Sequence, residues 1–173
     1  MKIRTETSTD APRVREVITQ AFGSPEDADL VDALRADISW IPELSLVAED
    51  DHGTVIGHVL VTRASIGGVP SLTLAPVSVA PGHQNTGVGT TLVRAAVDAA
   101  RDMGEHTMTV LGHPAYYPRF GFERASAHRV SCTLSAGPDE GAMVLSLDGS
   151  AIPAGDMGFA TPMADAIRAY RPE

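Results

Sequence analysis

Apolar positions along the chain fall into alternating helical and extended stretches. Val14, Val17, Ile18, Ala21 and Phe22 lie on one stripe of an amphipathic helix that is entered through Thr9-Asp10-Ala11-Pro12 and stops at Gly23. A second helix opens at Ser24-Pro25-Glu26-Asp27, where a capping hydroxyl, a proline and an acid precede Leu30, Val31 and Leu34. Met1 to Glu6 alternates briefly, as a short first strand does. Leu44 to Glu49 and Val55 to Ser65 are β-type runs joined by the turn Asp50-Asp51-His52-Gly53, and Gly67-Gly68 hands the chain to a third run, Leu72 to Val79. Three successive antiparallel strands are therefore expected. Thr90 to Ala100 sets Leu92, Val93, Ala96, Val97 and Ala100 against Arg94, Asp98 and Arg101, with Gly104 as the stop. The strand that follows, Thr107 to Leu111, then runs parallel to Leu72–Val79 across a βαβ crossover. Arg129–Leu134 and Ala142–Leu147 read as a further strand pair about the turn-rich Ser135-Ala136-Gly137-Pro138. Asp148 to Glu173, rich in Gly, Pro and Ala, shows no readable period.

Composition narrows the class. A chain of 173 residues with 43% hydrophobic and 20% charged residues is sized for one domain with a real core, and is too apolar for wholesale disorder. The balance of 13 basic against 22 acidic residues gives a formal charge of −9, which disfavours nucleic acid and anionic membrane as partners. The lone Cys132 excludes an internal disulfide, no apolar run approaches the ~20 residues that span a bilayer, and the N-terminus lacks a signal-peptide core. These features point to the cytoplasm. The six histidines are scattered without ligand spacing, so no metal is expected.

Chemistry concentrates in Val77-Ser78-Val79-Ala80-Pro81-Gly82-His83-Gln84-Asn85-Thr86-Gly87-Val88-Gly89-Thr90. A strand ends, a polar turn follows, and glycines fall where a helix begins, so unpaired amides and the positive end of a helix dipole converge. Such a turn suits an anion, and Gly87 and Gly89 permit close approach of a diphosphate to backbone; the same glycines would also serve merely to tighten the turn. A Walker loop is disfavoured because its lysine is missing. A dinucleotide fold is disfavoured because antiparallel strands, rather than a first parallel strand, precede the glycines.

With these residues in view, the chain resembles the GNAT superfamily of N-acetyltransferases. The family's V-x-P-x-x-Q-x-x-G-x-G signature is matched by Val79, Pro81, Gln84, Gly87 and Gly89, and a second element follows in Gly112-His113-Pro114-Ala115-Tyr116-Tyr117-Pro118-Arg119-Phe120-Gly121-Phe122. The latter pattern is similar to the YhbS-type branch of that superfamily. The resemblance implies a single α/β domain over residues 1–173, with a mixed, mostly antiparallel sheet, a splayed central strand pair and flanking helices. Its core covers about 1–150, and the C-terminal extension completes the sheet or the substrate side. Acetyl-CoA is the implied co-substrate, its diphosphate on Gln84, Asn85, Thr86, Gly87, Val88, Gly89 and Thr90, its pantetheine on Val77, Ser78 and Val79. Asn85 departs from the glycine common at that position.

The resemblance also assigns Tyr117 as the acid that protonates the departing thiolate, with Tyr116 as a packing or pantetheine neighbour. Family members often carry a glutamate on the splayed strand, but Leu72–Val79 contains no acid. Candidates for a base are then His113, His58 and Glu26, beside loss of the amine proton to solvent. The expected activity is acetyl transfer from acetyl-CoA to a primary amine, borne by a small molecule or a protein. The contrasting reading is a regulatory acyl-CoA-binding module without catalysis. Association into a homodimer is left open.

Overall fold

A computed structural model of the chain describes residues 1–171. In chain order the elements are β1 (Lys2–Thr5), α1 (Ala11–Phe22), α2 (Glu26–Arg35), β2 (Ser45–Glu49), β3 (Val55–Ile66), β4 (Val69–Val79), α3 (Val88–Asp102), β5 (Thr107–Leu111), β6 (Glu123–Arg124), β7 (Val130–Ser131), β8 (Ala142–Ser146), β9 (Gly155–Phe159) and α4 (Thr161–Ala169). They build a nine-stranded sheet in the order β1-β2-β3-β4-β5-β8-β6, with β9 added to β3 and β7 to β9. Every neighbouring pair is antiparallel except β4 with β5 and β7 with β9. The crossover through α3 makes β4 and β5 parallel, as the helix between two strands requires.

Each sheet face buries a helical stripe. Leu92, Val93, Ala96 and Ala100 of α3 pack on Val59, Val61, Leu72, Leu74, Met108 and Val110. On the other face Val14, Ile18, Val31 and Leu34 of α1 and α2, with Met163 of α4, cover Val47 and Leu60. Burying a large aliphatic side chain contributes roughly 1.5–3 kcal/mol, so these stripes fix which face each helix covers. Among the described residues no helix is long and apolar enough to cross a membrane.

Two expectations are corrected here. Val130–Ser131 does not pair with Ala142–Ser146: β7 joins β9, at Val130↔Gly155 and Ser131↔Asp156, while β8 lies between β5 and β6. Side chains of Ser131 and Thr133 hydrogen-bond the Asp156 carboxylate, which ties this segment to β9. The stretch without a readable period supplies that strand and the following helix, and β9 extends the sheet along β3 at Ala64↔Phe159, Ser65↔Gly158 and Ile66↔Met157. Residues 172–173 lie outside the described residues.

Candidate active site

The site begins with a fault in β4. Val77 lies opposite Val59 and Leu74 opposite Val61, so Ala75 and Pro76 together face the single residue Leu60, forming a bulge. β4 pairs with β5 only at Leu72↔Met108 and Thr73↔Thr109. Beyond Thr73 the strands part, and the β5-facing edge of Val77–Val79 is left without a strand partner. A splayed edge of this kind presents unpaired amides and carbonyls to whatever enters the gap.

The turn after β4 closes one end of the gap. Gln84 donates from Nε2 to the Val79 carbonyl at 3.0 Å, which anchors the turn to the strand end. Asn85 takes φ 60° and Gly87 φ 90°, both left-handed. Asparagine is among the few residues besides glycine that adopt this region at low cost, so the departure from the family's glycine leaves the turn intact. Gly87 is the N-cap of α3 and no side chain caps the helix. The first intrahelical bond runs from the Thr91 amide to the Gly87 carbonyl at 3.0 Å. The amides of Val88, Gly89 and Thr90 therefore stand free at the positive end of a fifteen-residue helix, as an anion site requires. A Cβ placed on Gly89 would lie 3.6 Å from Val79 Cγ2, 3.7 Å from the Tyr116 hydroxyl and 3.9 Å from Val77 Cγ1, so this glycine forms an open wall of the cradle. The Val88 side chain itself is buried in the core and leaves only its backbone to the site.

The opposite wall is aromatic. The segment after β5 forms a single 3-10 turn, Tyr117–Phe120, because Pro118 and the left-handed Gly121 leave no room for a longer helix. Tyr116 meets Tyr117 edge-on at 5.1 Å and bonds Thr90 Oγ1 through its hydroxyl at 3.0 Å, linking this wall to α3. Tyr117 lies so tightly on β5's end that a Cβ on Gly112 would come within 2.4 Å of its ring. Burial pushes the Tyr117 hydroxyl up to about 12, so it remains protonated, and a donor, throughout the neutral range.

These walls enclose a cleft of about 760 Å³ lined by Val77, Ser78, Val79, Gln84, Asn85, Gly87, Gly89, Thr90, His113, Tyr116 and Tyr117. Three further lining residues escaped the sequence reading: Ala21, Phe22 and Arg119. Phe22 was assigned to the buried stripe of α1, but it is 47% exposed at the cleft. Arg119 stacks 4.3 Å from the Tyr116 ring centre and brings a guanidinium to the lining. His113 is exposed at the rim. Glu26, at the start of α2, is exposed and is not part of the cleft lining. His58 is fully buried beneath it, with its pKa pushed down to about 3 by burial and by the charge of Arg35. No carboxylate lines the cleft among the described residues.

A strand pair split over a glycine turn at a helix N-terminus defines a known class of acyl-transferring domain. The family model described as acetyltransferase (GNAT) family matches residues 11–122, and the chain belongs to that family. It is 46% identical over 119 residues to the uncharacterized N-acetyltransferase YjhQ of Escherichia coli K12, covering 66% of this chain and 65% of YjhQ, somewhat less than two thirds of that relative. It is 36% identical over 134 residues to YhbS of the same strain, covering 76% of this chain and 79% of YhbS. The crystal structure of Escherichia coli YhbS in complex with CoA superposes with a TM-score of 0.87 at 31% identity, covering 94% of this chain and 91% of that one. A Brucella melitensis GNAT acetyltransferase in complex with acetyl-CoA gives 0.78 at 32% identity, over 94% of this chain and 97% of the other.

Proposed function

We propose that the protein transfers an acetyl group from acetyl-CoA to a primary amine by direct attack. The observation that carries this reading is the junction of three features in one cleft: uncapped amides at the start of α3, the unpaired edge of Val77–Val79, and the protonated Tyr117. The diphosphate lies on the amides of Val88, Gly89 and Thr90, flanked by Gln84, Asn85, Thr86 and Gly87. The pantetheine runs along Val77, Ser78 and Val79 as a surrogate strand, beside Tyr116. The amine nitrogen bonds to the thioester carbon, and the tetrahedral adduct collapses with cleavage of the C–S bond. The leaving sulfur takes its proton from the Tyr117 hydroxyl, the nitrogen sheds its surplus proton to water, and water restores the tyrosine proton. His113, exposed at the rim, meets the entering amine.

The carboxylate-free lining favours a second reading, an acyl-CoA-binding module without turnover. One assay separates them. Thiol release from acetyl-CoA is followed with ethanolamine, spermidine, benzylamine and a short peptide bearing a free N-terminus, and acetylated product is identified by mass spectrometry. Amine-dependent thiol release supports the enzyme; tight CoA binding without release on every amine supports the module.

A further inference from the structure

Beneath the cleft lies a polar pair in an otherwise apolar layer. Ser78 of β4 and His58 of β3 stand directly opposite each other and are 3% and 0% exposed. Cross-strand partners of this kind hold their Cβ atoms about 4.5–5.5 Å apart. Yet Ser78 Oγ and His58 Nδ1 are both buried without a hydrogen-bond partner. An unpaired buried polar group is destabilising, and here two such groups share one strand position.

The far side of the imidazole fixes its tautomer. His58 Nε2 lies 3.0 Å from Ser45 Oγ, and Ser45 Oγ donates to Glu6 Oε2 at 2.8 Å. Because the serine proton is committed to the carboxylate, Ser45 Oγ accepts from His58, which places the imidazole proton on Nε2. Nδ1 is then a bare acceptor, and the residue opposite it in register, Ser78, lines the cleft with a buried hydroxyl that has no partner of its own. The charged groups placed around the ring are Glu6, reached through Ser45, and Arg35 of α2, which pairs with Glu6.

We infer that Ser78 and His58, bridged by one internal water, are the positioning residues that carry the proton away from the attacking amine. The inference rests on the acetyltransferase reading above and supplies the base that its cleft lacks. As the amine nitrogen bonds to the thioester carbon, an N–H proton passes by way of water to Ser78 Oγ. The serine's own proton moves on, across the bridging water, to His58 Nδ1. The N–H electron pair stays on nitrogen in the amide, and the C–S pair leaves with sulfur. An imidazole of low basicity hands the proton back to solvent when the product departs, and being neutral it adds no limb of its own to the pH profile. Ser45 and Glu6 act by holding the tautomer.

The test uses Ser78→Ala, His58→Leu and His58→Asn, whose side-chain carbonyl restores an acceptor near the place of Nδ1. Each is assayed with acetyl-CoA and the most active amine of the panel, and CoA affinity by calorimetry shows that the cofactor side is intact. Ser78→Ala and His58→Leu are expected to lower kcat/KM by about 10–100-fold at pH 7. His58→Asn, whose carbonyl accepts a hydrogen bond but cannot take up a proton, is expected to stay about as slow as His58→Leu, whereas a purely positioning role for the ring would let it recover. The deficit shrinks as pH rises, since hydroxide takes the surplus proton from the tetrahedral adduct without the relay, whereas a merely structural defect persists at every pH. Nitrogen-15 spectra report the tautomer directly: His58 shows a proton on Nε2, and its Nδ1 resonance moves in Ser78→Ala. If His58→Leu does not fold, Ser78→Ala decides. Wild-type rates in Ser78→Ala, a loss constant with pH, or a proton on Nδ1 would each overturn the relay while leaving acetyl transfer standing. Failure of the wild type to turn over any amine would overturn the reading on which the relay depends.

Discussion

Replacing Gly89 separates the stability of the cradle from its affinity. In a helix, glycine is about 1 kcal/mol less favourable than alanine, so Gly89→Ala at the second residue of α3 should hold or raise Tm. Its Cβ would make only ordinary contacts, at 3.6–3.9 Å from Val79, Tyr116 and Val77. Valine adds two methyls about 1.5 Å beyond that Cβ. Space toward Val79, Tyr116 and Val77 is already taken, so the methyls project over the uncapped amides. A diphosphate oxygen must come within about 2.9 Å of an amide nitrogen to bond it. Losing two such charge-assisted bonds at about 1.5–3 kcal/mol each removes about 3–6 kcal/mol, or roughly 10²–10⁴-fold in CoA affinity. Calorimetric titration of CoA into wild type, Gly89→Ala and Gly89→Val, with melting curves on the same samples, gives both quantities. The expected order is a loss of less than about tenfold for alanine and at least about 10²-fold for valine. A folded Gly89→Val protein that binds CoA within about threefold of wild type would place the diphosphate somewhere other than the α3 amides.

Tyr117→Phe is expected to lower kcat by roughly 10–100-fold with little change in KM for acetyl-CoA, read from steady-state kinetics. Because burial raises the Tyr117 pKa to about 12, the donor form persists as pH rises, and the wild-type rate should show no alkaline fall below about pH 10. His113→Ala should keep the profile that rises from about pH 6 to above 8 and retain most of the rate, since the exposed rim position makes it a guide for the amine rather than its base; a flattened lower limb with a loss of about 10²-fold would make it the base instead. Gly112→Ala must drive a methyl into the Tyr117 ring at 2.4 Å, so kcat should fall along with the change in tyrosine fluorescence while CoA affinity, set on the other wall, stays within about threefold.

What the sequence made legible is what repeats locally. Amphipathic stripes on α1, α2 and α3, and turn residues at Asp50–Gly53 and Gly67-Gly68, declare themselves within a few positions, and the strand-turn-helix over Val77–Thr90 carries its chemistry in its own order. Strands of two residues, such as β7, are too short to have a period, and the partner of β7 lies some 25 positions away. Phe22 obeys the helical stripe, yet it sits where α1 ends over the gap between β4 and β5, and no local pattern distinguishes that exit from the core.

The pairing of Ser78 with His58 was hidden for a different reason, and the same feature opens the cleft. Counting outward from Gly67-Gly68 in strict register, Ile66 meets Val69 and Val61 meets Leu74, which would set Leu60 against Ala75 and His58 against Val77. The extra residue at Ala75-Pro76 advances β4 by one position, brings Ser78 opposite His58, and turns Val77 and Val79 toward α3. The bulge also lies just beyond the last contact of β4 with β5 at Thr73, so the strand bends where its second neighbour is lost. One inserted residue thus frees the edge of Val77–Val79 for a bound chain, points the valines at the α3 wall, and seats a hydroxyl over a buried imidazole on the reverse face. Deleting Ala75 should undo all of these together: β4 returns to strict register, Ser78 shifts to the α3 face, and both CoA binding and turnover fail in a protein that still folds. Retention of CoA affinity in a folded deletion variant, measured by calorimetry, would show that the cleft forms without the bulge.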